Sequence, residues 1–469
     1  MHHDTTPTMP TMPTTPMMPA TLPVGAPDAA ATLAGAHIAG LRGVRAPDGT
    51  VVDLDVERGR ISAATPTGDR ADAPAGLLLD ARGWRVLPAA CEPHAHLDKA
   101  LTAARIPAGT GDDLVGAVAR WRELAAGIDG ADVALRARRA VGRYVARGTT
   151  TIRTHVDVPV VGDPLRMLDA LLDLRDELAG AVTLQVCLLG GSHTSDAVYL
   201  EAAARGVDVL GGCPHLAPDP ALEISRVLDL AERTGLPVDL HADEQTALPD
   251  AGLLDVEDLA QQVIARGLQQ RVTASHAVRL GSLPPARLGP VVDLLARAGL
   301  GVVTLPITNL YLQGRDSTHL APRGLTAVRA LLDAGVPLAA GADNVRDPFN
   351  PAGTCDPFET TSLLMTAAHL TQREALDAVT AGARTVLGLE PAGPAVGERA
   401  DLVLVPDVPL GDVLAGGEQA RVVLTGGRVV ADTRVASVLA LDRSAVPTTT
   451  DLPDRPAAPA AHRPDQLVR

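Results

Sequence analysis

The chain is poor in cysteine, in aromatic residues and in basic charge, and each shortage narrows what it can do. Its four cysteines, Cys91, Cys187, Cys213 and Cys355, follow no paired spacing. That argues against a disulfide framework and for buried free thiols in a reducing compartment. Cys91 stands close to two histidines, but strand alternation would turn it towards the wall of its sheet. A net charge of −15 excludes nucleic acid and anionic membrane as natural partners, because both select basic surfaces. No run of about 18 apolar residues offers a membrane-spanning helix. The opening MHHDTTPTMPTMPTTPMMPATLP lacks the basic and apolar regions of a secretion signal, so a cytoplasmic location is expected. His2 and His3, in this low-complexity stretch, are expected to do nothing specific.

With 469 residues there is room for a large catalytic core and a smaller appended domain. Residues 1–34 read as a disordered Thr/Pro/Met-rich tail, and residues 441–469 as a Pro/Ala-rich C-terminal tail. Short strands punctuated by Asp-Gly and Arg-Gly occupy residues 35–87, and a similar pattern returns over 388–440. The two segments predict one small β-sandwich assembled from both ends. Between them, over 88–387, eight apolar segments alternate with amphipathic Ala/Leu/Arg-rich stretches. The eight are WRVLPAACEPHAH, TTTIRTHVDV, VTLQVCLL, VDVLGGCPH, PVDLHADE, RVTASHAV, GVVTLPITN and PLAAGADN. That alternation predicts an α/β fold, a TIM-like (β/α)8 barrel. A doubly wound open sheet is the competing architecture, but no GxGxxG follows an early strand.

The spacing of His94, His96, His241, His276 and Asp343 gives the barrel a function. His94 and His96 lie two apart, on one face of a strand. His241 follows His94 by 147 residues, His276 follows by 35 more and Asp343 by a further 67. At roughly 30–37 residues per strand-plus-helix unit, these residues end strands 1, 5, 6 and 8 and converge at one barrel mouth. Imidazoles with a carboxylate are a good donor set for one divalent metal ion, Zn²⁺ or Fe²⁺. Glu244, three residues past His241, is placed to move a proton between water and the leaving nitrogen. A metal brings the pKa of water from about 15.7 towards 7. His276 would polarise the electrophile or orient hydroxide, and Asp343 would both ligate and hold the attacking water. His155 and His215 also end strands and read as supporting or pocket-lining groups. No lysine ends the fourth strand, so a carbamylated bridge between two metals is not expected.

Taken in order, CEPHAHLDK, RTHVDV, HADEQ, VTASHA, NLYLQGR and GADNVRDPFNPAG resemble the cytosine-deaminase-like branch of the amidohydrolase superfamily, from about residue 85 to 390. The resemblance implies a single Fe²⁺ or Zn²⁺ on His94, His96, His241 and Asp343, with Glu244 and His276 acting on the proton and the water. Three departures bear on substrate. Asn344 stands where a second aspartate contacts the base, Gly190 or Gly191 where a glutamine reads cytosine, and Phe349 where a tryptophan lies. Gln185 falls earlier on that third strand. Of only seven aromatic residues, Tyr311 and Phe349 fall just past strands 7 and 8, where they could stack on a flat ring. Lys99, with Asp98 beside it, and Gln313, with Arg315 nearby, complete the candidate substrate contacts.

The expected activity is hydrolytic deamination of a small aminated N-heterocycle, with pyrimidine, pterin, triazine and creatinine-like rings all open. Cleavage of a cyclic amide or an N-alkylamino substituent is the alternative, and a metal-binding scaffold without catalysis is the third. Substrate and water are the expected partners, and a homo-oligomer is left open.

Overall fold

Two sheets share out the strand-forming segments, and the boundary between them falls on a single residue. The computed structural model describes residues 33, 35–68, 74–106, 113–249, 252–319, 322–416 and 419–435, and the backbone of 21–23. Contacts gather the chain up to Arg434 into one compact unit; of a second, Val435–Arg469, only Val435 is described. The rest of both expected tails lies outside the described residues, apart from buried Leu33 and Thr21–Pro23.

The first sheet begins with β1 (Thr21–Pro23), β2 (Ile38–Arg45), β3 (Val51–Glu57), β4 (Arg60–Pro66), β5 (Leu77–Asp80) and β6 (Trp84–Pro88). The turn between β3 and β4 is Arg58-Gly59, both at positive φ (51° and 76°), the two-residue geometry that matches strand twist. β1 lies within the stretch expected to be tail, and pairs in parallel with β5.

The predicted first barrel strand, WRVLPAACEPHAH, splits in two. The Ala89 amide donates to Asp401 of the small sheet, whereas the next amide, Ala90, donates to Gly148 of the barrel. One extended run therefore serves both sheets, which periodicity alone could not divide.

The barrel strands are β7 (Ala90–Ala95), β8 (Thr149–Asp157), β9 (Thr183–Gly190), β10 (Val209–Gly212), β11 (Val238–Ala242), β12 (Val272–His276), β13 (Gly301–Thr304) and β14 (Leu338–Ala340). Each pairs in parallel with the next. Most of their residues are buried on both faces, as a sheet covered by helices requires. A parallel bridge between Ala95 and Asp343 draws the two ends together. Glu92 reinforces that seam, accepting from the amides of His94 (3.2 Å) and Ala342 (2.9 Å). Gly341 is required there, since a Cβ would strike the Glu92 carboxyl. The sheet is a nearly closed barrel, and the open-sheet alternative falls away.

Helices follow the strands with apolar stripes inward. Gly130–Ala146, for example, buries Val133, Ala137, Ala140, Val141 and Tyr144. An additional helix, α1 (Leu114–Ala125), precedes it, capped by Asp113 accepting from the Gly116 amide at 2.8 Å.

Strands β15 (Leu402–Pro406), β16 (Arg421–Thr425) and β17 (Arg428–Thr433) return to the first sheet, β15 pairing antiparallel with β6. That sheet has its own core, including Leu41, Val44, Leu54, Ile61, Val86, Leu402 and Leu404. At ~1.5–3 kcal/mol for each large apolar side chain buried, these contacts hold segments more than 300 residues apart together.

Candidate metal centre and substrate cavity

Three imidazole nitrogens point at one another at the C-terminal mouth of the barrel. His94 Nε2 lies 3.1 Å from His241 Nε2, which lies 3.2 Å from His96 Nε2. Asp343 Oδ1 is 3.3 Å from His96 Nε2 and 3.8 Å from His94 Nε2. Four donors bonded at about 2.0–2.1 Å to a tetrahedral Zn²⁺ stand roughly 3.4 Å apart. The observed separations bracket that value.

Two further observations fit a cation. Asp343 Oδ1 is buried with no hydrogen-bond partner, an isolated acceptor that would be costly otherwise. Burial, then the nearby Glu244 and Asp347 carboxylates, push the Asp343 carboxyl far above its usual range. A bound cation reverses that logic. Burial and the surrounding positive groups also keep His94, His96 and His241 well below the normal imidazole range, in the neutral form a metal needs.

The ring of His94 is set from behind. Ser275 Oγ donates to Asp239 at 2.7 Å, so it accepts from His94 Nδ1–H at 2.9 Å. His94 Nε2 is thereby left with its lone pair facing the centre. Asp239 is held by Arg153 at 2.9 Å, and Arg153 in turn by Gln185. His155 stacks on His94 with ring centroids 3.9 Å apart and approaches Asp239 at 3.5 Å. Gln185 therefore serves the barrel interior and does not line the cavity. Sequence reasoning missed the Arg153–Asp239–Ser275 network. Its signal was there: Arg153 and Asp239 precede His155 and His241 by two residues, on the same strand face.

Backbone strain marks the ligand loops. His276 and Asp343 both sit at positive φ, 73° and 67°, as does Ala277 at 48°. Such values cost about 1–3 kcal/mol each in non-glycine residues and persist where the surroundings enforce them.

Glu244 is buried beside the centre, Oε2 3.3 Å from His215 Nε2 and Oε1 3.7 Å from His276 Nδ1. Burial pushes its carboxyl up, but His276, His215 and Lys99 outweigh it, and the net shift is downward. His215 donates from Nδ1 to the His241 carbonyl at 2.8 Å. Burial opposes its charging, yet Glu244 brings its pKa above the ordinary value. Asn309 donates to His276 Nδ1 at 3.1 Å, which puts the His276 proton on Nε2. Burial drops the His276 pKa to about 4, so it is a neutral donor.

These groups open into a cavity of about 130 Å³. Of the candidate substrate contacts, Lys99, Asn344 and Phe349 line it. Gly190 and Gly191 stand in the wall at the end of β9, as the sequence placed them. Two candidates lie elsewhere. Gln313 donates to the Glu244 carbonyl at 2.6 Å and braces that loop. Tyr311 faces a separate groove, with the Arg315 guanidinium 4.4 Å from its ring centroid. The chain turns into a short helix at Pro306 straight after β13, which carries Tyr311 away from the mouth. Helix α1, Asp157, Ser192 and His193 are among the cavity residues that sequence reasoning overlooked. Leu114, Val118, Trp121 and Ala125 of α1 form an apolar outer wall with Val158, Val160 and Val161.

Cys91 packs against Val303, Leu305 and Ala339, and burial raises its thiol to about 11. It is inert, as alternation implied. All four cysteines are free.

Residues 129–431 match the profile of the Amidohydrolase family. The chain belongs to that family. This amidohydrolase is 31% identical over 414 residues to a pterin deaminase of Rhizobium rhizogenes, covering 85% of this chain and 92% of the other. It is 27% identical over 375 residues to N-isopropylammelide isopropyl amidohydrolase of a Pseudomonas species, covering 75% and 87%. Its fold matches the structure of 5-methylcytosine deaminase from Klebsiella pneumoniae bound to phosphonocytosine. The TM-score is 0.77, with 27% identity over 85% of this chain and 100% of that one. It is a metal-dependent hydrolase of C–N bonds other than peptide bonds, acting by deamination or amidohydrolysis. No described helix is long and apolar enough to cross a membrane.

Proposed function

We propose that this amidohydrolase removes ammonia hydrolytically from a small aminated N-heterocycle, with one Zn²⁺ or Fe²⁺ held by His94, His96, His241 and Asp343. The observation that carries the reading is the convergence of three Nε2 atoms and Asp343 Oδ1 beside buried Glu244, with His96, His241, Asp343 and Glu244 lining one cavity. A cation held there would supply the acidity that lets water attack at neutral pH. Glu244 takes the proton of the attacking water and hands it to the departing nitrogen. His215 steadies the Glu244 carboxylate, and Gln313 its backbone. His276 donates from Nε2 towards the atom that gains electron density. Asn344 and Phe349 contact the ring, Asn344 with its amide pinned to Asp347 at 2.8 Å. Similarity to a pterin deaminase and to 5-methylcytosine deaminase supports an aminated ring with one or two cycles. The free thiols and acidic surface suit the cytoplasm.

A second reading is cleavage of an N-alkylamino substituent. The apolar wall of Leu114, Val118, Trp121, Val160 and Val161 favours it, because an alkyl group would be desolvated there.

The deciding experiment is metal analysis of the purified protein, then ammonia and amine detection over cytosine, isocytosine, pterin, creatinine and amino- and alkylaminotriazines. One equivalent of metal with ammonia release supports deamination. Alkylamine release moves the assignment to the second reading, and a metal-free active protein refutes both.

A further inference from the structure

Lys99 is the one lysine in the chain; every other basic residue is arginine. It is also almost wholly buried, with 4% of its side chain exposed. Its ammonium lies 3.1 and 3.0 Å from the two carboxylate oxygens of Asp157. The same Nζ stands 4.8 Å from the Phe349 ring centroid and 5.7 Å from that of Trp121.

The pair is pinned in place from behind. Asp98 accepts from the Lys99 amide at 2.9 Å and from the Asp157 amide at 3.0 Å, joining the loop after β7 to the end of β8. Burial opposes the lysine charge, but Asp157 and Asp98 outweigh it and its pKa ends above the ordinary value. It is therefore a donor only. A purely structural ion pair would be sealed from the cavity. Here both residues line the wall that also carries His96, Glu244 and Asp343, and a quarter of the Asp157 side chain is open.

We propose that Lys99 and Asp157 read a lactam edge of the substrate, a ring N–H beside a ring C=O. The carbonyl accepts from the Lys99 ammonium, and the adjacent N–H donates to the Asp157 carboxylate. The ring lies over Phe349. An amine-only ring presents bare ring nitrogens at this edge, which can accept from the ammonium but leave the Asp157 carboxylate facing a lone pair instead of an N–H. This rests on the heterocycle reading above and narrows it: the substrate is an oxo-substituted aminoheterocycle.

The test uses matched pairs that differ only in the oxo group: cytosine and 4-aminopyrimidine, isocytosine and 2-aminopyrimidine, pterin and 2-aminopteridine. Ammonia release and calorimetric binding are measured for metal-loaded wild type, Lys99→Met and Asp157→Ala, with metal content checked in each. A site built to bond a polar group rejects an analogue lacking it by about 10² or more. The oxo member of at least one pair should therefore bind about 30-fold or more better to wild type. In both variants that ratio should fall to within about threefold while the metal stays. A ratio unchanged in the variants, or no oxo preference in wild type, overturns the assignment. Ammonia release from no compound, with the binding preference intact and lost in the variants, sinks the deaminase reading and leaves the lactam contact standing.

Discussion

His94 Nδ1 sits 2.9 Å from Ser275 Oγ, and this contact decides which nitrogen of His94 faces the centre. Ser275 spends its own proton on Asp239, so it can only accept from the imidazole. Ser275→Ala removes that acceptor and frees the ring to take either tautomer. Loss of such a supporting contact typically costs 10–100-fold in metal affinity. Chelator competition should show about that loss with the fold intact by circular dichroism. Wild-type affinity in the variant would mean that the serine does not set the ring.

Glu244 is assigned to proton transfer and not to ligation. Glu244→Gln keeps the size and removes the base, so metal content should stay at one equivalent while kcat falls by about 10²–10⁴. Turnover within tenfold of wild type would refute the role. Loss of metal would recast Glu244 as a ligand.

Stripping the metal leaves Asp343 Oδ1 with nothing to bond and the three Nε2 atoms facing only one another. Binding at 100 times Kd stabilises by about 2.7 kcal/mol, which for a chain this size is roughly 3 °C in Tm. Chelated protein should melt lower by that much and recover when Zn²⁺ or Fe²⁺ is restored. An unchanged Tm would show that the site is not loaded in the starting protein.

Glu374 provides a pH-dependent contribution away from the centre. It accepts from the Thr371 amide at 2.8 Å, capping the helix Gln372–Val379, and pairs with Arg329 at 2.8 Å. Arg329, then Thr371, lower its pKa from 4.5 to about 2. The folded value lies below the unfolded one, so its contribution is complete above about pH 4.5 and is lost as pH falls through about 2. Glu374→Gln should lower stability slightly at pH 7, by a few tenths of a kcal/mol because the pair is half exposed, and Tm with it. The gap between variant and wild type should narrow below pH 4.5. A gap that widens on acidification would contradict the linkage.

The primary sequence was enough to identify the barrel and to predict which side chains converge at its mouth, because both are written as periodicity. Strand–helix alternation sets where each strand ends. Histidines at those ends must then meet, since eight parallel strands bring their C-termini to one mouth. His94, His96, His241, Glu244, His276 and Asp343 were all legible in this way. What surrounds them was not. Tyr311 and Gln313 also fall shortly after a strand, yet a helix beginning at Pro306 points one into another groove and puts the other behind Glu244. Asp157 and Trp121 carried no distinguishing signal in the sequence, and only folding laid both against Lys99. Contacts of that kind depend on side-chain direction across elements distant in sequence. Hydrophobic patterning constrains which face a residue takes, but only packing fixes its neighbour.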